Sequence, residues 1–279
     1  VGSPLPPRLR QDRAVTATVK VETLLQGYRL GSNQGDIAFC GVNLVEGLDE
    51  EGQPRLLVVD TGHTGRRMAL RRALEARGLS TADIDLVVCT HAHWDHMENL
   101  DIFERARFVL HRDERRYARS PHRNDYGCPR WVDAVLELFG DRIVEVEEGV
   151  SVLPGVEVIE APGHSAGTIA LAARTADGTA VIAGDAIQSG AVALERRNPL
   201  VFWDEKLAAQ SVDKLVSIAD LVYPGHDQPF RLAGDRVEYL AELGLTLRNV
   251  SPGQPGLGFE TPEPEYWVMP GIEEQRLPD

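Results

Sequence analysis

The sequence predicts an α/β domain, and three observations carry that expectation. Apolar runs such as Leu86-Val87-Val88-Cys89 continue without a helical gap and read as buried strands. Segments with apolar residues at helical spacing, such as Leu70, Ala73 and Leu74, lie between some of them. Several runs also end alike, in a glycine or short turn followed by histidine or aspartate. With 279 residues and 43% hydrophobic content the chain can bury a full core, enough for one large domain or one and a half.

In chain order, residues 1–18 are rich in proline and arginine and read as an extended arm. Residues 19–25 and 37–45 alternate in polarity and read as strands on either side of the loop Gly31-Ser32-Asn33-Gln34-Gly35. Residues 55–60 form a third strand ending in Asp60-Thr61-Gly62-His63, which presents a carboxylate at a sheet edge. Residues 65–77 are a helix closed by Gly78, leading to the strand at 86–89. A strand at 108–111, a polar helix at 113–119, a loop at 120–129 and a helix at 131–139 follow. Strands then recur at 143–146, 150–153, 156–161, 168–173 and 180–183, with turns such as Leu153-Pro154-Gly155 and Asp177-Gly178 between several of them. Asp204 caps a helix at 205–219 whose Leu207, Ser211, Leu215 and Ile218 share a face, and a strand at 221–223 closes the series. Beyond residue 232 a short helix at 237–243 precedes a proline-rich acidic tail, whose prolines argue against regular structure. Tyr266 and Trp267 mark that tail for docking on its own domain or on a second subunit, and a homodimer is expected.

Composition excludes some classes of function. No apolar run approaches the roughly 20 residues that cross a bilayer. A net charge of −14 repels nucleic acid and anionic membranes in general. From residue 234 onward nine acids face three arginines, whereas residues 104–130 hold eight arginines against four acids. Cys40, Cys89 and Cys128 have no metal-motif spacing and are too few for a disulfide framework, so a reducing, cytoplasmic home is expected.

The chemistry concentrates in Thr90-His91-Ala92-His93-Trp94-Asp95-His96, directly after the strand at 86–89. Imidazole and carboxylate suit zinc and its first-row neighbours, and a turn after a strand can aim His91 and His93 at one ion. Asp95 and His96 lie one step further on, placed for a second. His164 follows Ala161-Pro162-Gly163, Asp185 follows Ala183-Gly184, and His226 follows Tyr223-Pro224-Gly225. This set supplies a third neutral ligand for each ion and a carboxylate able to bridge both. Glycine before each ligand lets the backbone come close to the ion.

The strings Val59-Asp60-Thr61-Gly62, Thr90 to His96, Pro162-Gly163-His164-Ser165, Gly184-Asp185 and Pro224-Gly225-His226 resemble the five successive motifs of the metallo-β-lactamase-fold superfamily, over roughly residues 19–232. The resemblance implies a four-layer αβ/βα sandwich with its metals in a groove at one edge. It would assign His91, His93 and His164 to one ion and Asp95, His96 and His226 to the other, with Asp185 bridging and Asp60 orienting ligands. Two zinc ions are the cofactors it implies, with iron or manganese as alternatives. Two cations sharing a solvent molecule lower its pKa, so that a metal-bridging hydroxide forms near neutral pH and attacks a polarised electrophile. Asp95 or Asp185 would take or relay the proton.

Departures from the family's branches narrow the expected substrate. Asp185 stands where the commonest zinc β-lactamases have a cysteine ligand. Gln188 stands where acyl-homoserine lactonases often have tyrosine. The flavodiiron pattern, with glutamate for the second histidine and an added flavin domain, is missing. A small ester, thioester, lactone or amide is therefore the expected substrate, with a phosphodiester as the main variant. A mononuclear iron enzyme using oxygen, or a non-catalytic metal-binding protein, is the reading from outside hydrolase chemistry. Arg105, Arg107, Arg112, Arg115, Arg116, Arg119, Arg123 and Arg130 read either as a phosphate-binding surface or, preferably, as a solvated helix face. Trp94, Phe202 and Trp203, with Tyr126 and Trp131, are candidates for apolar walls against the substrate.

Overall fold

A computed structural model describes residues 18–260 and 266–278; all but the last residue of the arm predicted at 1–18 lies outside them. The first half contains β1 (Lys20–Leu25), β2 (Tyr28–Leu30), β3 (Ile37–Phe39), β4 (Val42–Leu48), β5 (Pro54–Val59), β6 (Leu86–Val88), β7 (Arg107–His111) and β8 (Ile143–Val146). Its helices are α1 (Arg67–Glu75), α2 (Trp94–Met97), α3 (Arg112–Ala118) and α4 (Trp131–Phe139). The second half adds β9 (Ser151–Leu153), β10 (Val156–Glu160), β11 (Ile169–Thr175), β12 (Gly178–Gly184), β13 (Leu200–Val201), β14 (Leu221–Pro224), β15 (Phe230–Ala233), β16 (Arg236–Tyr239) and β17 (Trp267–Val268). It also holds α5 (Gly190–Glu195) and α6 (Glu205–Ile218).

Two large sheets organise these strands. One has the order β1-β4-β5-β6-β7-β8, the other β16-β15-β14-β12-β11-β10-β9. Alternation along the strands explains how they stack. Leu57 and Val59 of β5 point to a core between the sheets, where Val88, Val109, Val158, Ile169, Leu171 and Ile182 meet them. Val58, between them in sequence, faces the other way into a core with Leu70, Leu74, Phe108, Tyr117, Val132 and Leu136. On the far side of the second sheet, Val181, Ala183, Val222 and Phe230 pack with Val192, Val212 and Leu215. Helix, sheet, sheet, helix is the resulting order, the αβ/βα sandwich. Strands buried on both faces must be apolar at consecutive positions, which is why these runs lack polar alternation.

The sequence expectations need three corrections. Residues 37–45 are not one strand: β3 pairs with β2 in a separate ribbon, and the chain breaks at Cys40-Gly41, where Gly41 N–H donates to Gly225 O at 2.6 Å. Residues 237–243 are not a helix: β16 returns along β15 in an antiparallel hairpin through Gly234-Asp235, with Ala233 opposite Arg236. Val237 packs on the outer core while Arg236 and Glu238 are exposed, so the period is two and not 3.6. The tail is not without regular structure, since β17 pairs with β13. Among the described residues no helix is long and apolar enough to cross a membrane.

Candidate metal centre

β6 ends at Val88, and the chain emerges at the rim between the sheets as Thr90 to His93, with Asp95 and His96 on the single turn of α2. His164 stands in the loop between β10 and β11, Asp185 directly after β12 and His226 just after β14, with Gly225 between. All seven candidate ligands are buried. β12 and β14 are parallel neighbours, so their ends deliver Asp185 and His226 side by side. The backbone there is crowded: a Cβ on Gly225 would stand 2.1 Å from Asp185 Oδ1. Gly184 adopts φ 49°, and a Cβ on it would meet Thr90 Oγ1 at 2.5 Å. Glycine at both positions is a steric requirement.

The ligand atoms form two joined groups. His91, His93 and His164 make the first, with His164 Nε2 and His93 Nδ1 3.1 Å apart. Asp95, His96 and His226 make the second, where Asp95 Oδ2 lies 3.5 Å from His96 Nε2 and 3.4 Å from His226 Nε2. Asp185 stands between them. Its Oδ1 is 3.2 Å from both His96 Nε2 and His226 Nε2, and its Oδ2 is 3.4 Å from His164 Nε2.

Surrounding groups fix the ring orientations. Asp60 Oδ2 accepts from His96 Nδ1 at 2.8 Å, which leaves Nε2 as the free nitrogen. The other oxygen, Oδ1, accepts from the Thr90 backbone N–H at 2.8 Å. His164 Nδ1 donates to Leu200 O at 2.8 Å, and His91 Nδ1 lies 3.1 Å from Thr90 Oγ1. Asp125 Oδ1 stands 3.6 Å from His93 Nε2, while its Oδ2 accepts from Tyr117 at 2.9 Å. Glu114, fully buried on α3, accepts from Ala92 N–H, Ser165 Oγ–H and Gly167 N–H at 2.7–2.8 Å. It thereby ties the loop of His91 and His93 to the loop of His164. Gln188 Nε2 donates to Asp185 Oδ2 at 2.9 Å, so the position where lactonases often carry tyrosine here serves the central carboxylate.

Electrostatics divide the histidines, though not along the two groups: burial lowers His93 of the first group, but Asp125 outweighs it and raises the imidazole above its ordinary value. Burial drives the His91 imidazole well below its ordinary value, helped by His96, His93 and His164. Burial likewise pushes His164 down to about 3. Both are neutral lone-pair donors at neutral pH. His96 also loses solvation, but Asp95, Cys40, Asp60 and Asp185 outweigh that and raise it well above its ordinary value. Asp185 pays the same desolvation, yet His226, His96 and His164 hold it well below the carboxylate range. Carboxylates in the second group therefore demand a positive charge, which a proton supplies when no cation does.

These residues fit metal ions. His91 Nε2, His96 Nε2, Asp95 Oδ2 and Asp185 Oδ1 are buried without a hydrogen-bond partner, and His226 Nδ1 is a further buried orphan. Such atoms are costly in a folded protein unless something pairs with them. The donor set is nitrogen and oxygen, suited to zinc. Cys40, Asp60 and His96 form a third cluster, but burial pushes the Cys40 thiol up to about 12 and Asp60 is occupied by Thr90 and His96.

The sequence singled out seven ligands and Asp60, and the structure gathers all eight. Phe202 also lies there, its ring 4.7 Å from His93 and 5.3 Å from His164. Trp94 sits beside His63 at 5.7 Å. Trp203 turns away: it packs on Tyr117 at 5.7 Å in the core of the first sheet, so it is a packing residue and not a groove wall. Among the arginines, Arg112 pairs with Glu147, Arg115 with Glu137 and Glu145, Arg116 with Asp113, and Arg123 with Glu274. Glu114, Asp125 and Thr90 were missed. Nothing local distinguishes a buried glutamate among arginines from a solvated one.

Residues 51–226 match the model of the metallo-beta-lactamase superfamily. The chain belongs to this superfamily. Metallo-beta-lactamase domain-containing protein 1 of Xenopus laevis is 31% identical over 220 residues, covering 76% of this chain and 81% of that protein. N-acyl homoserine lactonase of Bacillus cereus is 26% identical over 191 residues, 66% of this chain and 70% of the lactonase. A solved N-acyl homoserine lactone hydrolase, with the product N-hexanoyl-L-homoserine at its catalytic metal centre, has the same fold: TM-score 0.58 at 18% identity, covering 77% of this chain and 94% of that one. Superfamily membership and the histidine and aspartate clusters make this chain a metallo-β-lactamase-fold hydrolase.

Proposed function

We propose that the protein is a dinuclear zinc hydrolase of small acyl substrates: esters, thioesters, lactones or amides. One observation carries the reading: the two oxygens of Asp185 face different ligand groups at 3.2–3.4 Å. A carboxylate aimed at both groups supports two ions that share it. His91, His93 and His164 would hold one ion and Asp95, His96 and His226 the other, with Asp185 shared. Two zinc ions bound there would acidify a shared solvent molecule and polarise the substrate carbonyl.

The chain's own groups do the rest. Asp60 and Leu200 O hold His96 and His164 with Nε2 directed inward. Gln188 keeps one oxygen of Asp185 engaged, leaving Oδ1 without a donor. Asp95 Oδ2 is likewise without a donor, and either carboxylate oxygen can receive a proton from the attacking solvent and pass it to the leaving group. Phe202 covers the first group and excludes water from that side. The salt-linked arginines of α3 favour acyl substrates over a phosphodiester, because their charges are already matched. Cys40, Cys89 and Cys128, buried and unpaired, support a reducing, cytoplasmic setting.

Metal content and initial rates test the reading together. Two zinc equivalents and turnover of matched ester, thioester, lactone or amide substrates are expected, with Asp185→Asn slower by about 10²–10³-fold or more. Turnover of a chromogenic phosphodiester alone would overturn the substrate class. One bound iron with oxygen uptake would overturn the reaction.

A further inference from the structure

Outside the stretch that matches the superfamily, residues 266–278 return to the metal centre. β17 lies parallel to β13, with Leu200 opposite Trp267 and Val201 opposite Val268. Trp267 N–H donates to Pro199 O at 2.8 Å and Met269 N–H to Val201 O at 2.9 Å. Gln275 donates to the backbone oxygen of Phe202, Asn124 Nδ2 to Pro270 O at 2.6 Å, and Arg116 to Pro278 O at 2.8 Å. The segment therefore ties together the chain around Phe202 and the loop that carries Asp125 and Tyr126.

The outcome is a continuous row of rings. Phe202, against His93 and His164, is covered by Trp267 at 4.9 Å and Tyr126 at 5.1 Å, and those two meet at 5.4 Å. Phe202 is 1% exposed whereas Tyr126 is 60% exposed, so Tyr126 and Trp267 form the outer surface of the row. A second row reaches the centre through Trp94: Tyr28 stacks on Phe39 at 4.3 Å, Phe39 meets His63 at 4.9 Å, and His63 meets Trp94. None of Phe202, Tyr126 and Trp267 carries a charge at neutral pH, and aromatic faces recognise apolar surface.

We propose that residues 266–278 are a specificity element of the active site, in which Trp267 and Tyr126, backed by the buried Phe202, form an apolar subsite for the acyl group of the substrate. The substrate class it fits is an uncharged, medium-chain or aryl acyl compound. This rests on the acyl-hydrolase reading above, and the experiment separates the two. Calorimetry on metal-free protein with butanamide and octanamide tests the subsite without catalysis. Wild type is expected to bind octanamide about tenfold or more tightly than butanamide, Trp267→Ala to lose that difference, and Trp267→Phe to keep most of it. With zinc-loaded protein, the octanoyl-to-butanoyl ratio of kcat/KM on matched lactones or thioesters should fall about tenfold in Trp267→Ala, through KM. No chain-length preference in wild type, or a preference unchanged by Trp267→Ala, would overturn the subsite. A Trp267-dependent binding preference without turnover of any acyl substrate supports the subsite and removes the hydrolytic reading alone.

Discussion

At the residue scale, Glu114 shows how much of the centre rests on groups that touch no candidate ligand side chain. Its carboxylate is fully buried and serves three donors on two loops, Ala92 on one and Ser165 and Gly167 on the other. Glu114→Ala strands those donors and should destabilise the protein by about 3–5 kcal/mol in urea unfolding. It should also weaken metal binding about 10–100-fold in a chelator competition, because the two loops lose their common anchor. Glu114→Gln, which keeps one acceptor oxygen, should lose less of both. Equal metal affinity in all three proteins would sink the positioning role. Asp60 was legible from sequence because it ends a strand before glycine; Glu114 was not, because its partners lie more than 20 residues away in one loop and 50 in the other.

At the element scale, α1 is held to the edge strand β1 by charge as well as by Leu70 and Leu74. Arg77, just beyond the helix, donates Nε–H to Glu22 Oε1 at 2.8 Å and also to Ala73 O. Arg77 first, and then Lys20, keeps Glu22 below its ordinary 4.5 against a smaller opposing effect of burial. A carboxylate whose folded pKa is depressed stabilises fully above its unfolded value and loses that contribution as pH falls through the folded one. Glu22→Gln should therefore cost about 0.5 kcal/mol at pH 7, discounted because a third of the side chain faces solvent. The gap to wild type in urea midpoints should narrow as pH falls below 4.5. A constant gap would mean packing and not charge. The same scale explains the misread elements: residues 237–243 have helix-forming composition, but pairing with β15 takes the first three of them into a strand.

At the scale of the whole molecule, the candidate ligands come from both halves of the sandwich: His91, His93, Asp95 and His96 follow the first sheet, and His164, Asp185 and His226 the second. Ions bound there would cross-link the halves, so metal affinity and folding stability are linked. Exhaustive chelation should lower the thermal midpoint by roughly 10 °C or more, the equivalent of about 4 kcal/mol at a thousandfold excess over Kd. Zinc should restore it with a stoichiometry of two. An unchanged midpoint would show that the sheets hold together without help from the site.

Sequence alone determined what depends on local pattern and residue chemistry. Apolar runs without gaps marked the buried strands, and the strings at their ends, Thr90 to His96 and the glycine-led His164, Asp185 and His226, marked the seven candidate ligands and the nitrogen and oxygen donor set. Those signals are short-range, since a strand's burial and a ligand's chemistry are written in adjacent residues. Only the tertiary structure decided which ligands share a group, that the two oxygens of Asp185 divide between them, that Trp203 faces the core, and that Trp267 returns to Phe202. Each of those is a distance between residues far apart in the chain. Such distances are set by sheet register and packing, which no single stretch of sequence encodes.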